Sequence, residues 1–300
     1  MPLVVGYWLQ RSSHFARGFY DNLIKIALLV IFPLLAIMSF WVIRIDMDIM
    51  WLPAFGVLLH LVPGLLAYLI VNRVYNSPAD RGSYLLSAIL SNQMVVGGIS
   101  VYILYGETGF AYVQLAVLLQ GLILFLFCFP LAQYYQRCAE GGGKKFSAPW
   151  WSLVFNRNQI GVLGIVAGVI LNKTGWERPA IGNSLFDLLV HLNAWMALVP
   201  VGHSIRFSEF RSHLSGVVSM SAIKFVVTPL IMAGLSILLL KDPLMRNTLL
   251  ILAFSPTAIN AVIAVRLHGL NSDMVMTHFI LTTALYLFIV YPLIFLCLYR

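Results

Sequence analysis

Residues 81–106, RGSYLLSAILSNQMVVGGISVYILYG, and residues 246–269, RNTLLILAFSPTAINAVIAVRLHG, are built to one plan. Each opens on an arginine, runs through an apolar stretch, meets a polar interruption, and closes on a glycine. The interruption comes ten residues after Arg81, at Ser91, and nine after Arg246, at Ser255. Each stretch is long enough to cross a bilayer, which takes about 20 residues at 1.5 Å rise each. Each is nevertheless broken near its middle, by Ser91-Asn92-Gln93 with Gly97-Gly98 following, and by Ser255-Pro256-Thr257 with Asn260 following. In hydrocarbon every backbone polar group must be bonded internally, so non-helical backbone at that depth marks a cavity or a binding site. Pro256 has no N–H to give, and Gly97-Gly98 lets the backbone bend or another helix come close. Half-helix N-termini at such breaks present free N–H groups and positive dipole ends, which suit a carboxylate. The candidate substrate-binding residues are therefore Ser91, Asn92, Gln93, Gly97, Ser255, Pro256, Thr257 and Asn260. The alternative is packing, with Ser and Asn bonding neighbouring helices and Gly97-Gly98 allowing close contact.

The rest of the chain agrees with a membrane setting. Of its 300 residues 60% are hydrophobic and 10% charged, with a mean hydropathy of +0.89, where soluble domains carry about a quarter charged residues. The net charge of +8 is spread singly between apolar runs, which excludes nucleic acid as the main partner. Cys128, Cys138 and Cys297 have no metal-ligand or redox spacing, and their odd number argues against a disulfide framework. Cutting at charges, Gly and Pro gives an all-α polytopic protein with nine spans: Leu23–Ile43, Trp51–Val71, Ser83–Tyr105, Tyr112–Tyr134, Leu153–Leu171, Leu185–Ile205, Val217–Leu240, Thr248–Leu267 and Val275–Leu298. Met1–Leu9 is apolar but too short to span, and reads as the end of a shortened first helix or as an interfacial tail, so the spans are numbered helices 2 to 10. Residues 136–151, Gly-rich and basic, form a linker between two halves. Arg11, Arg17, Lys25, Arg73, Arg81, Arg137, Lys144, Lys145, Arg157, Arg206, Arg211 and Arg266 outnumber Arg44, Lys173, Arg178, Lys241, Arg246 and Arg300 on the opposite side. That bias places the linker in the cytoplasm and the C-terminus outside.

The resemblance of helix 4 to helix 9 extends outward. Phe129-Pro130-Leu131 in helix 5 matches Tyr291-Pro292-Leu293 in helix 10. His60…Pro63 in helix 3 matches Lys224…Pro229 in helix 8, and Pro33 in helix 2 matches Pro200 in helix 7. Matched helices lie five spans apart, an odd number, so they cross in opposite directions. Two inverted repeats of five helices, with broken, crossing helices 4 and 9, are the expected architecture, and such repeats belong to secondary transporters.

Ionisable residues inside spans are few. Lys224 in helix 8 is a candidate substrate contact or internal cation, or it snorkels its amine to the interface. His60, His191, Asn193 and His203 read as packing groups with proton coupling as the rarer role, and Asp187 as a solvated or capping charge. All eleven acids fall in loops or near helix ends. Carboxylate coordination of a transported cation is therefore disfavoured and an organic anion favoured. No metal and no cofactor is implied, with H⁺ or Na⁺ left as coupling ion. A membrane-embedded enzyme using His60, His191 or His278 as general base lacks any nucleophile–base or metal-ligand constellation, and a non-transporting sensor has less use for inverted symmetry.

These motifs resemble the auxin efflux carrier family, whose bacterial members are mainly small-carboxylate permeases. The resemblance rests on Gly6-Tyr7-Trp8-Leu9, Pro33, the Arg81…Ser91-Asn92…Gly97…Gly106 run, Pro200…Gly202, Pro229, and Ser255-Pro256 through Gly269, and covers nearly the whole chain. It implies scaffold parts at 1–48 and 152–212, transport parts at 49–138 and 213–300, and a linker at 139–151. It also implies crossing breaks with Asn92 and Pro256 at the substrate site, elevator-type movement, a cell inner membrane location, and a possible homodimer through the scaffold. Ile99 stands where the family usually has proline, so the break of helix 4 is expected to rest on Gly97-Gly98. The bile-acid/sodium symporter group is similar in architecture, and would add sodium coupling.

Overall fold

A computed structural model describes residues 2–12, 17–45, 47–140, 160–203 and 214–298. Among these residues the chain is helical throughout, with no strand and one isolated backbone bridge. The helices are α1 (Pro2–Ser12), α2 (residues 17–42), α3 (Asp48–Val74), α4a (Pro78–Ile89) and α4b (residues 93–105). They continue as α5 (residues 107–140), α6 (Ile160–Thr174), α7 (Ile181–His203), α8 (residues 214–239), α9a (Pro243–Ala253), α9b (Ile259–Leu267) and α10 (Ser272–Leu298). Most of the 136–151 linker and the start of the Leu153–Leu171 span lie outside the described residues.

Five described stretches are long and apolar enough to cross a membrane: Gly18–Val42, Asp48–Val74, Gln93–Glu140, Gly216–Leu239 and Ser272–Leu298. Residues 93–140 are really two helices. Gly106, at φ +61°, turns the chain in a backbone region that a side chain would resist. Beyond it a Cβ on Gly98 would touch Phe110 and Val113, so α4b and α5 run back along each other. Gly269, also at φ +61°, makes the corresponding turn between α9b and α10. Outward-facing Leu65, Leu69, Leu230, Leu238, Phe288 and Leu296 are exposed, the surface that lipid would cover.

The helix starts and bends have local causes. Pro78 and Pro243 occupy the first turns of α4a and α9a, where a missing N–H costs nothing. Arg81 Nε donates to the Tyr75 carbonyl at 2.9 Å and Arg246 Nε to the Leu240 carbonyl at 2.8 Å. Both arginines thus cap the helix that precedes their own. Wide turns at Ala27–Ile31, Leu124–Cys128, Ile223–Val227 and Tyr286–Val290 sit immediately before Pro33, Pro130, Pro229 and Pro292, because each proline cannot bond the carbonyl four residues back.

Packing groups these helices. α6 lies along α2, with Gly164 and Gly168 so close that a Cβ would fall 2.5 Å from the Pro33 carbonyl oxygen and 2.6 Å from that of Ile37. α1 lies along α7 in the same manner, Gly6 against Val199 and Gly202. One apolar core joins α4b and α9a with the first half of α5, and includes Val101, Val113, Leu249 and Leu252. A second joins α4a and α9b with α10, and includes Leu86, Leu90, Val262 and Phe279. The boundary between them is the level at which α4 and α9 are broken.

Candidate functional site

α4a leaves helical geometry at Leu90, which is extended, and residues 90–92 are non-helical before α4b begins at Gln93. Residues 254–258 separate α9a from α9b and pass the same point in the opposite direction. There the two segments pair through an antiparallel bridge between Ser91 and Thr257. The Asn92 amide donates to the Pro256 carbonyl at 2.8 Å, and the Ala258 amide to the Leu90 carbonyl at 2.9 Å. Each break thus satisfies the backbone groups that the other exposes, the condition for irregular backbone away from water. Side chains complete the joint. Thr257 Oγ1 donates to the Ser87 carbonyl at 3.1 Å, and the Thr257 amide donates to Thr282 Oγ1 at 3.1 Å, whose own proton goes to the His278 carbonyl at 2.6 Å.

The break of helix 4 does not rest on Gly97-Gly98, contrary to the expectation from sequence. Both glycines are helical, and the non-helical residues are Leu90 to Asn92, held by the bridge to Thr257. Gly97 serves contact: a Cβ there would lie 2.6 Å from Ser255 Oγ and 2.9 Å from Leu252 Cδ2.

Lys224, 1% exposed, points into this joint from α8. Its Nζ donates to the Ala88 carbonyl at 3.0 Å and to Ser91 Oγ at 2.7 Å. It does not snorkel, and the carbonyl it meets belongs to the last turn of α4a, the negative end of that half-helix dipole. Because Ser91 Oγ accepts from Lys224, its own proton is left to donate elsewhere.

Beside the joint lies a cavity of about 270 Å³. Ile24, Ala27 and Phe32 of α2, Val162 and Ile165 of α6, and Asn193, Ala197 and Leu198 of α7 form one wall. Residues 90–95 and 258–260, with Gln114, Val117, Leu118, Gln120, Gly121, Leu124 and Phe125 of α5, supply the other. The walls are mostly apolar; their polar side chains are Ser91, Asn92, Gln93, Gln114, Gln120, Asn193 and Asn260, and among the described residues no charged side chain lines the space. Gln93 and Gln114 are fully buried, and neither the nitrogen nor the oxygen of either side chain has a hydrogen-bond partner among the described residues. Buried unpaired amides are costly, at about 1–3 kcal/mol per missing bond. The first turns of α4b and α9b also border the cavity, and neither Asn92 nor Ala258 caps its helix with a side chain. The first turns of two half-helices therefore border one small space.

Of the residues singled out from sequence, Ser91, Asn92, Gln93 and Asn260 line the cavity, whereas Gly97, Ser255, Pro256 and Thr257 lie in the joint behind it. His60 is buried, with Nδ1 on the Gly56 carbonyl at 2.8 Å. Asp187 and His191 are exposed, and His203 stacks on Tyr20 with ring centroids 3.9 Å apart. Gln114 and Gln120 escaped the reading of the sequence. A glutamine inside the Tyr112–Tyr134 span is itself the signal, since polar groups at that depth are costly without a partner. Among the described residues no group of three His, Cys, Asp or Glu is placed to hold a metal.

Residues 147–294 match the family described as membrane transport protein. Over that stretch, just under half of the chain, the sequence resembles the auxin efflux carrier family of membrane transport proteins. No curated protein matches it. The matched part runs from the linker almost to the end of α10. It contains Lys224, Asn193, the whole α9 break and Thr282, and leaves α4 and its partners Gln93 and Gln114 outside.

Proposed function

We propose that this membrane transporter is a secondary permease for a small organic anion, most simply a carboxylate, bound in the cavity beside the crossing of α4 and α9. The observation that carries this reading is the pairing of four unpartnered amide atoms, on Gln93 and Gln114, with the open first turns of α4b and α9b in one uncharged cavity. Half-helix N-termini, each equivalent to roughly half a positive charge, and neutral side-chain donors attract an anion without holding it as tightly as an arginine would. A carrier that must release its cargo needs that balance. The apolar remainder of the walls accommodates a hydrocarbon body behind the carboxylate.

The proposed movement is alternating access between two inverted repeats, α1–α5 and α6–α10. In support, α6 packs on α2 as α1 packs on α7, Arg81 and Arg246 cap alike, and Gly106 and Gly269 turn alike. On this reading α1, α2, α6 and α7 form a scaffold and α3–α5 with α8–α10 an elevator. The scaffold is also the proposed homodimer surface. The linker lies in the cytoplasm and the C-terminus outside, in the inner membrane; no metal, cofactor or nucleic acid takes part.

The test is counterflow of labelled malonate and malate, and of a monocarboxylate with an apolar body, into proteoliposomes. Accumulation in wild type that is lost in Asn92→Ala, with the variant folded, supports the site. Equal accumulation in both moves the site elsewhere.

A further inference from the structure

Among the described residues Lys224 is the one buried lysine, and it does not line the cavity. It is 1% exposed, and among the described residues no carboxylate pairs with it; the ion pair found there joins Arg178 to Glu107. A buried cation needs partners that offset its loss of water. Those of Lys224 are oxygens only: the Ala88 carbonyl and the Ser91 hydroxyl, at the unwound end of α4a. Carbonyls freed at the C-terminal end of a broken membrane helix are the donor set with which transporters hold a coupling alkali-metal ion.

We propose that the Lys224 ammonium is a built-in cation, filling an oxygen-lined site at the end of α4a that would otherwise take a free sodium ion. Its charge neutralises the dipole end of α4a and polarises the Ser91 hydroxyl, which borders the cavity. The inference rests on the carrier reading above for its consequence, which is that anion transport proceeds without sodium. The groups around Lys224 agree. His60 of α3, close enough to interact with it electrostatically, turns Nδ1 to the Gly56 carbonyl, and its buried Nε2 has no hydrogen-bond partner among the described residues. A neutral imidazole in that state presents a lone pair to its surroundings, which favours a neighbouring cation. A direct contact between Lys224 and substrate is disfavoured, because Ser91 stands between the amine and the cavity.

Thermal unfolding of the purified full chain in choline, sodium and ammonium chloride at equal ionic strength tests the site without any transported substrate. Wild type should unfold at one temperature in all three salts. Lys224→Ala should unfold lower in choline and recover part of the loss in ammonium or sodium, which fit the vacated site where choline does not. Lys224→Gln, which keeps two hydrogen-bond donors but no charge, should also unfold lower than wild type. Wild type stabilised by sodium over choline, an Ala variant indifferent to small cations, or a Gln variant as stable as wild type would each overturn the proposal. The wild-type comparison decides even where a variant fails to fold. In proteoliposomes, anion counterflow by wild type should be equal in sodium and choline, and stimulation by sodium contradicts the built-in cation. Absence of anion movement under every condition refutes the carrier reading instead, and leaves the unfolding result to judge the site.

Discussion

Gly97→Ala tests how tightly the two broken helices are joined. The new Cβ would stand 2.6 Å from Ser255 Oγ and 2.9 Å from Leu252 Cδ2, against ordinary contacts of at least 3.4 Å. Leu252 is fully buried and Ser255 nearly so, so neither can swing into open space. Overpacking of this kind costs about 1–3 kcal/mol, enough to lower the unfolding temperature by a few degrees. The same geometry makes a compensation possible. Ser255 Oγ has no hydrogen-bond partner among the described residues, so Ser255→Ala discards an unsatisfied hydroxyl and should be neutral or slightly stabilising. It also removes the nearer of the two obstructing atoms. The double variant Gly97→Ala/Ser255→Ala should therefore unfold above Gly97→Ala alone, short of wild type because Leu252 remains. Thermal unfolding in detergent, followed by intrinsic fluorescence, measures all four proteins. Strict additivity of the two substitutions would refute the contact, since residues that touch should couple by about 0.5 kcal/mol or more.

Arg178, in the loop before α7, binds both carboxylate oxygens of Glu107 at the α4–α5 turn and also reaches the Met38 carbonyl. A cycle of Glu107→Gln and Arg178→Met should give a coupling of about 1–3 kcal/mol, as for a partly buried bidentate pair; a value near zero would make it an ordinary surface contact. Gln114→Leu should abolish anion accumulation with little loss of folding, because the amide has no internal bond to break; unchanged transport would remove Gln114 from the site. Gln93→Glu places a negative charge beside the proposed anion and should weaken its binding about tenfold or more, and equal affinity would disprove an anionic cargo in that cavity. Gly106→Ala and Gly269→Ala, both at φ +61°, should cost about 1 kcal/mol or more each, measured by the same unfolding assay.

Much of the crossing was legible in the sequence because its causes are local. Ser91, Asn92, Pro256 and Thr257 interrupt apolar runs, and interruption in hydrocarbon demands a structural reason. Gly106 and Gly269 closed the two matched stretches and both prove to be the turns. The exact point of the first break was not legible. Gly97-Gly98 looked like the weak spot, but what unwinds the helix at Leu90 to Asn92 is pairing with Thr257, a partner 166 positions from Ser91 along the chain. The role of Lys224 was hidden for the same reason, since its acceptor on α4a depends on how α8 packs. Gln114 was missed although its signal was present, a polar side chain in an apolar span. Ser77-Pro78 and Asp242-Pro243 likewise sit in register ahead of Arg81 and Arg246, a further mark of the matching half-helices that both prolines start.

The central claim is that the anion occupies the cavity at the α4–α9 crossing. Asn260 borders it and is accessible, whereas Ile263, one turn further along α9b, is exposed without lining it. With Cys128, Cys138 and Cys297 replaced, Asn260→Cys and Ile263→Cys should be labelled by a small thiol reagent in proteoliposomes, with and without a saturating anion that the same variant transports. The account predicts that the anion slows labelling at position 260 and leaves position 263 unchanged. Equal rates at position 260 with and without the anion would contradict it.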